Sequence, residues 1–242
     1  MNMDAAKAME TVNFVFKDIF GRDNPFTLGE IQKRFAFDLA IPVPVKDDVT
    51  GKDTWSKRRR NVSAMSMQTG TELQEKGTIP KPKKIDSLND ILSFWRESAY
   101  FLGDRYVNSI GVSESDNIFD SNSVYKSSNA HNCQNAVLSE DNSNCKQIVA
   151  CRFNNAVMSC IRVLDSTFTT SSFAVMWSKK VSKCMYVNNS FDLYECMFCS
   201  NIDTKKYCIG NMQFTKEEYL PIKEMVIDWT IENFGKGNTM GF

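Results

Sequence analysis

From Val112 onward the chain divides into rows of twelve residues without an insertion: VSESDNIFDSNS, VYKSSNAHNCQN, AVLSEDNSNCKQ, IVACRFNNAVMS, CIRVLDSTFTTS, SFAVMWSKKVSK, CMYVNNSFDLYE, CMFCSNIDTKKY and a partial CIGNMQFT. The first column reads Val112, Val124, Ala136, Ile148, Cys160, Ser172, Cys184, Cys196 and Cys208, and columns four, seven and ten are equally compact. Across the eight full rows these four columns contain one charged residue, Lys205, and no Phe, Tyr or Trp, all of which stand in other columns. Bulk and charge are thus excluded from every third position. A parallel β-solenoid imposes that exclusion, because each coil stacks on the previous one and the inward columns share a thin core. The expected fold is mainly β, a small solenoid of about eight twelve-residue coils and roughly 38 Å at the usual strand spacing, capped by α-helices at both ends. The hand of the coil is not fixed by these residues.

All eight cysteines fall between 133 and 208, in columns one, four or ten, where they alternate with Val, Ala and Ser. They are expected to be small buried residues, with Cys184, Cys196 and Cys208 neighbours in one vertical file. Stacked in this way they also meet the spacing a disulfide needs, though the fold does not require one. Cys196 and Cys199 spell C-x-x-C and are the weak metal candidates. A structural zinc site wants a second such pair or histidines, and the only histidine, His131, stands in a different column. No metal and no cofactor is therefore expected.

Columns two and three are apolar and aromatic, with Phe173, Tyr186 and Phe198 among them. An outward apolar stripe of this kind is either covered by the chain's own helices or is a docking face for another subunit. The flanking sequence supplies helices: residues 4 to 20 have an apolar face and stop at Gly21, Thr27 with Glu30 caps the next segment, and Ser87 caps residues 88 to 106. Thr215 with Glu218 then opens a helix that runs to Gly235, dented by or starting at Pro221. Between them, residues 40 to 84 carry four of the six prolines and read as exposed irregular arms. The organisation expected is a helical cap over 1–111 with an irregular arm at about 40–84, a solenoid over 112–214, and a capping helix and tail over 215–242. Lys57, Arg58, Arg59 and Arg60 form a basic patch on the arm, either a solvated charge run or a contact for a partner.

Lys plus Arg equals Asp plus Glu, 29 each, so the overall charge gives no reason to expect nucleic acid as a partner. No apolar run is long enough for a membrane span, and the N-terminus lacks the pattern of a secretory signal. No phosphate loop, nucleophile elbow or metal-binding helix motif occurs. Carboxylates such as Glu140, Asp141 and Asp192 are scattered over different columns, so no hydrolytic pair is evident. Any Cys–His or Ser–His pair has to use His131, which sits in a polar row beside Asn129 and Asn132. An enzyme, or a thiol- or metal-dependent protein, built on His131 or the cysteines is the alternative to a non-enzymatic role.

The segment Tyr207 to Tyr219, YCIGNMQFTKEEY, follows the ladder of Cys, Asn and Ser rows. Together they resemble a group of uncharacterised proteins of tailed bacteriophages and bacteria that share Y-C-I-x-N-x-Q-[FY]-x-x-E-E-Y after such rows. The similarity covers about residues 85 to 234. Some of these proteins carry a label as CoA-transferase-like, which nothing in the rows supports. The resemblance implies a phage context: a structural virion protein of capsid, neck or tail, made in the host cytoplasm, in multiple symmetric copies, with other virion proteins as partners through residues 40 to 84 and the outward column.

Overall fold

The computed structural model describes residues 3–57, 63–77, 83–143, 145–152, 154–164 and 167–236. Its centre is a parallel sheet wound into coils in which each residue pairs with the one twelve places on. Val112 pairs with Val124, Ala136 with Ile148, Cys160 with Ser172, Val175 with Val187, and Met197 with Ile209. About eight turns stack in this way, so the chain is a β-solenoid with twelve-residue coils. It starts earlier than Val112, because Tyr106 and Val107 already pair with Ile118 and Phe119. The helix expected over 88–106 ends at Ser98, and Tyr100–Gly103 is a strand parallel to Ser63–Ser66.

The four compact columns face inward. Val112, Ser115, Ile118, Ser121 and Val124 are buried, and so is every third residue from there to Cys151 and, over 160–163 and 169–199, to Cys199. The residue before each inward one has a positive φ, from Asn108 to Ala150 and from Ser159 to Gly210, wherever it is described. Non-glycine residues resist this left-handed conformation, and Asn and Asp resist it least. Asn117, Asp120, Asn129, Asn132, Asn135, Asp141, Asn189, Asp192 and Asn201 occupy such places, and Thr204 is the one β-branched residue among those described. Their side chains stack outside the coil: Asn117 donates to Asn129 at 2.7 Å, and Asn189 to Asn201 at 2.6 Å.

Inward residues alternate between two roles. Mid-strand most are aliphatic, as at Val112, Ile118, Val181 and Val187; at the bends most are Ser or Cys, as at Ser115, Ser127, Ser178 and Cys184. A bend hydroxyl donates to the carbonyl two residues back and accepts the amide N–H twelve residues on. Ser127 donates to Tyr125 O at 2.9 Å and accepts from Ser139 N at 3.2 Å. Cys184 does the same, with Ser182 O at 3.2 Å and Cys196 N at 3.2 Å. Buried amides that have no strand partner are satisfied by this relay. Cysteine is therefore more than a small apolar filler here, because it takes both hydrogen bonds of serine.

The alternation changes phase once. Before Cys151 the Ser/Cys bends occupy columns four and ten; after Cys160 they occupy columns one and seven. The longer strands Lys146–Arg152, Asn154–Leu164 and Thr167–Met176 carry the chain across this three-residue shift. The lumen accordingly contains two apolar clusters, one around Val124 and Ile148 and one around Val187 and Leu193.

Both ends are closed by named contacts. At the start, Asp104 accepts from Trp55 N at 2.9 Å and Thr54 Oγ1 at 2.8 Å, and Asp104 N donates to Trp55 O at 3.0 Å. Gly103 is required there, since a Cβ would lie 2.7 Å from Trp55 O. The segment expected to be irregular arms is thus built into the fold: it contains a hairpin, Val43–Lys46 with Asp53–Ser56, a strand, Ser63–Ser66, and a helix, Met67–Glu75. Asp47 organises it by accepting from Val49 N, Thr50 N, Ser66 N and Thr69 Oγ1. Burial pushes its carboxyl up, but the Thr69 hydroxyl and the three amides outweigh that and hold it well below the carboxylate range. Propensity alone does not reveal such a side-chain hub. At the far end Asn211 accepts from Ser200 N at 3.0 Å and donates to Ser200 O at 2.9 Å, while Gln213 donates to Lys206 O at 2.6 Å.

Five helices are described: α1 Ala5–Phe20, α2 Leu28–Phe35, α3 Met67–Glu75, α4 Leu88–Ser98 and α5 Lys216–Asn233, the last with Pro221 inside it. Capping boxes at Thr27, Ser87 and Thr215 start three of them, as the sequence indicates. α1, α2 and α5 cover the apolar stripe. Val12, Phe16 and Phe20 of α1, Phe35 of α2 and Tyr219 and Ile227 of α5 share one buried cluster with Val149, Ile161, Phe173 and Tyr186. Phe173 is its hub, with ring centres of Phe20, Tyr186 and Phe234 at 5.3, 5.3 and 5.0 Å. This corrects the expectation of a docking face there: Phe173 and Tyr186 are fully buried, and Phe198 is half-buried and stacked on Tyr186 at 4.7 Å. Phe173→Ala should cost about 4 kcal/mol of unfolding free energy in denaturant titration. In the same assay Ser127→Cys should stay close to wild type, while Ser127→Val, which leaves Ser139 N unpaired, should lose about 2 kcal/mol.

Candidate functional site

Cys196 and Cys199, the C-x-x-C pair, are the weak metal candidates of the sequence. Cys184, Cys196 and Cys208 stand in one file, with Cys196 N on Cys184 Sγ at 3.2 Å. All eight thiols are free and buried. Cys196 and Cys199 donate to backbone carbonyls, Tyr194 O at 3.5 Å and Met197 O at 3.2 Å. Among the described residues no three His, Cys, Asp or Glu side chains are grouped so as to hold a metal ion. The hydrogen bond with Cys184 is the main cause that pushes the Cys196 thiol up to about 12; Cys199 opposes it and burial adds to it. A reactive thiol needs the opposite shift. In Cys151 and Cys160 the sulfurs approach to 3.0 Å inside the lumen, again without exposure.

His131 lies outside the coil, exposed, with its ring stacked on Phe119 at 4.8 Å. Cys133, its nearest thiol in sequence, turns inward and donates to the His131 carbonyl. The geometry therefore keeps the imidazole and the thiols on opposite sides of the wall. Of the basic patch, Arg58, Arg59 and Arg60 lie outside the described residues. Lys57 is half-buried, its Nζ 3.9 Å from Glu140 and its N–H 3.4 Å from Asp116, so it fastens the hairpin to the coil. No described helix is long and apolar enough to cross a membrane.

Two surfaces remain. The first is α4, none of whose residues is buried. Leu88, Ile91, Leu92 and Trp95 recur at helical spacing on one face and are exposed, Leu88 by 68% and Trp95 by 58%; Ile85 and Tyr100 flank them. The helix is held at its start by the Ser87–Asp90 box and by Lys83, whose Nζ is 2.8 Å from Glu97 and 4.8 Å from the Phe94 ring. Sequence periodicity gave the helix and its apolar face but not the exposure of that face.

The second surface is the side of the last coils away from the helices. Strands Lys179–Ser182, Phe191–Tyr194 and Asp203–Lys206 lie side by side there, with Lys179 beside Phe191 beside Asp203, and Ser182 beside Tyr194 beside Lys206. Lys179, Lys180, Lys183 and Lys206 are exposed, as are Phe191 and, by 65%, Trp177; Lys205, also exposed, continues the inward file of Val181 and Leu193 at the end of the stack. Reading contiguous runs alone missed this group. The rows of twelve contain the signal, since KKVSK, FDLYE and DTKKY stand one above another.

Comparison of the chain with known protein families, curated proteins and solved structures finds no match. Folding keeps the Cys196 thiol neutral, so the stability this gives is complete below the unfolded thiol value near 8.5 and is lost as pH rises from there toward about 12. Denaturation midpoints should fall between about pH 8 and about pH 10.5, and Cys196→Ser should make that fall shallower.

Proposed function

We propose that this chain is a non-enzymatic structural component of a tailed-phage virion, in the capsid, neck or tail, acting as a rigid protein–protein interaction module in multiple symmetric copies. The observation that carries the interaction role is α4, a capped helix whose continuous apolar face no described residue buries. A monomer gains nothing by leaving Leu88, Ile91, Leu92 and Trp95 in water, since each large apolar side chain buried contributes about 1.5–3 kcal/mol. The phage context rests on the resemblance carried by Tyr207 to Tyr219 and the rows before it. The solenoid serves as a stiff support: its side chains are committed to stacking, and α4 together with the bare face is left for contacts. Partner recognition moves accordingly from the arm and the outward column to α4. A segment that covers α4 is of the helix-in-groove type, read at positions 88, 91, 92 and 95.

Mass spectrometry of purified particles tests this together with a Leu88→Ser, Trp95→Ser variant. The double variant should keep its unfolding free energy within about 0.5 kcal/mol, because these side chains are exposed. It should be absent from particles that contain the wild-type chain. Wild-type incorporation of the variant, or particles lacking the wild-type protein, overturns the proposal.

A further inference from the structure

We infer that the bare face of the last three coils binds single-stranded nucleic acid, with phosphates on its lysines and a base in the cleft between Trp177 and Phe191. Overall neutrality hides a strongly local charge. Four exposed lysines, Lys179, Lys180, Lys183 and Lys206, stand there against two exposed aspartates, Asp192 and Asp203, while Asp18, Glu195 and Glu224 lie beside Lys183 at the edge next to the helices. Among the described residues no carboxylate lies within ion-pair distance of any of the four, whereas Lys46, Lys83, Lys126 and Lys223 all have one.

Three of the ammonium groups rest over aromatic rings instead. Lys180 stands 5.3 Å from the Phe191 centre, and Lys183 and Lys206 reach the same Tyr194 ring at 5.7 and 5.8 Å. Lys183 belongs to the coil before Tyr194 and Lys206 to the coil after it, so the cations follow one another along the stack as successive phosphates of a strand do. Parallel stacking fixes the spacing of these cations, so no ordering cost falls on the backbone when a charged chain lies across them.

The cleft beside them distinguishes nucleic acid from an acidic protein. It has a volume of about 560 Å³ and is lined by Trp177, Phe191, Lys179, Asp203 and, on its floor, Asn189 and Asn201. Asn189 donates one amide hydrogen to Asn201, which leaves an acceptor on Asn189 and donors on Asn201 for the edge of a base. Aromatic walls accept any base by stacking, and lysines follow the backbone. A flat sheet face presents no element that enters a duplex groove, which selects the single strand.

The test is fluorescence anisotropy of the full chain with a labelled oligothymidylate of about 20 nucleotides, from about 50 to about 200 mM salt. Wild type should bind saturably and weaken with salt. A Lys180→Gln, Lys183→Gln, Lys206→Gln variant should lose at least about tenfold in affinity and about 2 in the slope of log K against log salt. Trp177→Ala should lose about tenfold with the slope unchanged, a separation that charge alone does not produce. Absence of binding at the lower salt, or wild-type binding by both variants, overturns the inference. So does polyglutamate that competes as well as the oligonucleotide, which assigns the face to an acidic protein.

Discussion

The whole molecule depends on a backbone that turns left-handed at every third residue. Each non-glycine residue in that conformation costs roughly 1–2 kcal/mol, and a coil contains four such residues. A single coil is therefore unstable by itself. Stacking offsets the cost, because each new coil completes the parallel ladder, the serine and cysteine relay at the bends, and the contacts inside the lumen. The same requirement explains several compositional biases together. Inward columns are small because four of them share one lumen; the places before them favour Asn and Asp; β-branched residues are nearly absent from those places although they suit ordinary strands.

That requirement also divides the surface. A stack has two broad sides, and the chain roofs one of them with α1, α2 and α5. The roof converts an aggregation-prone apolar stripe into a second core, centred on Phe173 and as aromatic as the lumen is small. The other side keeps its aromatics and lysines in water, and α4 stands apart from both. Sites of interaction are confined to what stacking and roofing leave over.

How much of this was legible in the sequence follows from which residues a constraint acts on directly. The twelve-residue period, the inward columns and the cysteine file were legible because steric exclusion in the lumen is felt at every coil, from Val112 to Cys208. The capping boxes at Thr27, Ser87 and Thr215 were legible because they are local hydrogen-bond patterns. The coverage of Phe173 and Tyr186 was not, since the stripe has the same composition whether its cover is intramolecular or a partner. Nor was the folding of residues 43–75, which depends on Asp47 collecting donors up to 22 residues away. The phase change near Cys151 was written in the alternation of Ser or Cys with aliphatics. It was masked by treating the four inward columns as equivalent.

The residues that carry the phage resemblance show why a specific motif need not speak of chemistry. Asn211 and Gln213 occupy hydrogen-bonding positions that a further strand would have filled. Cys208 ends the inward file, Thr215 and Glu218 start α5, and Tyr219 is buried against Tyr207 at 5.5 Å. Every one of these contacts terminates the stack. A chain needs such a terminator once, at a fixed place after its last coil, and this makes the segment recognisable whatever the protein binds. Information about partners has to reside where stacking imposes nothing: in outward columns such as Lys179, Lys180 and Phe191, and in a helix whose apolar face the fold does not use.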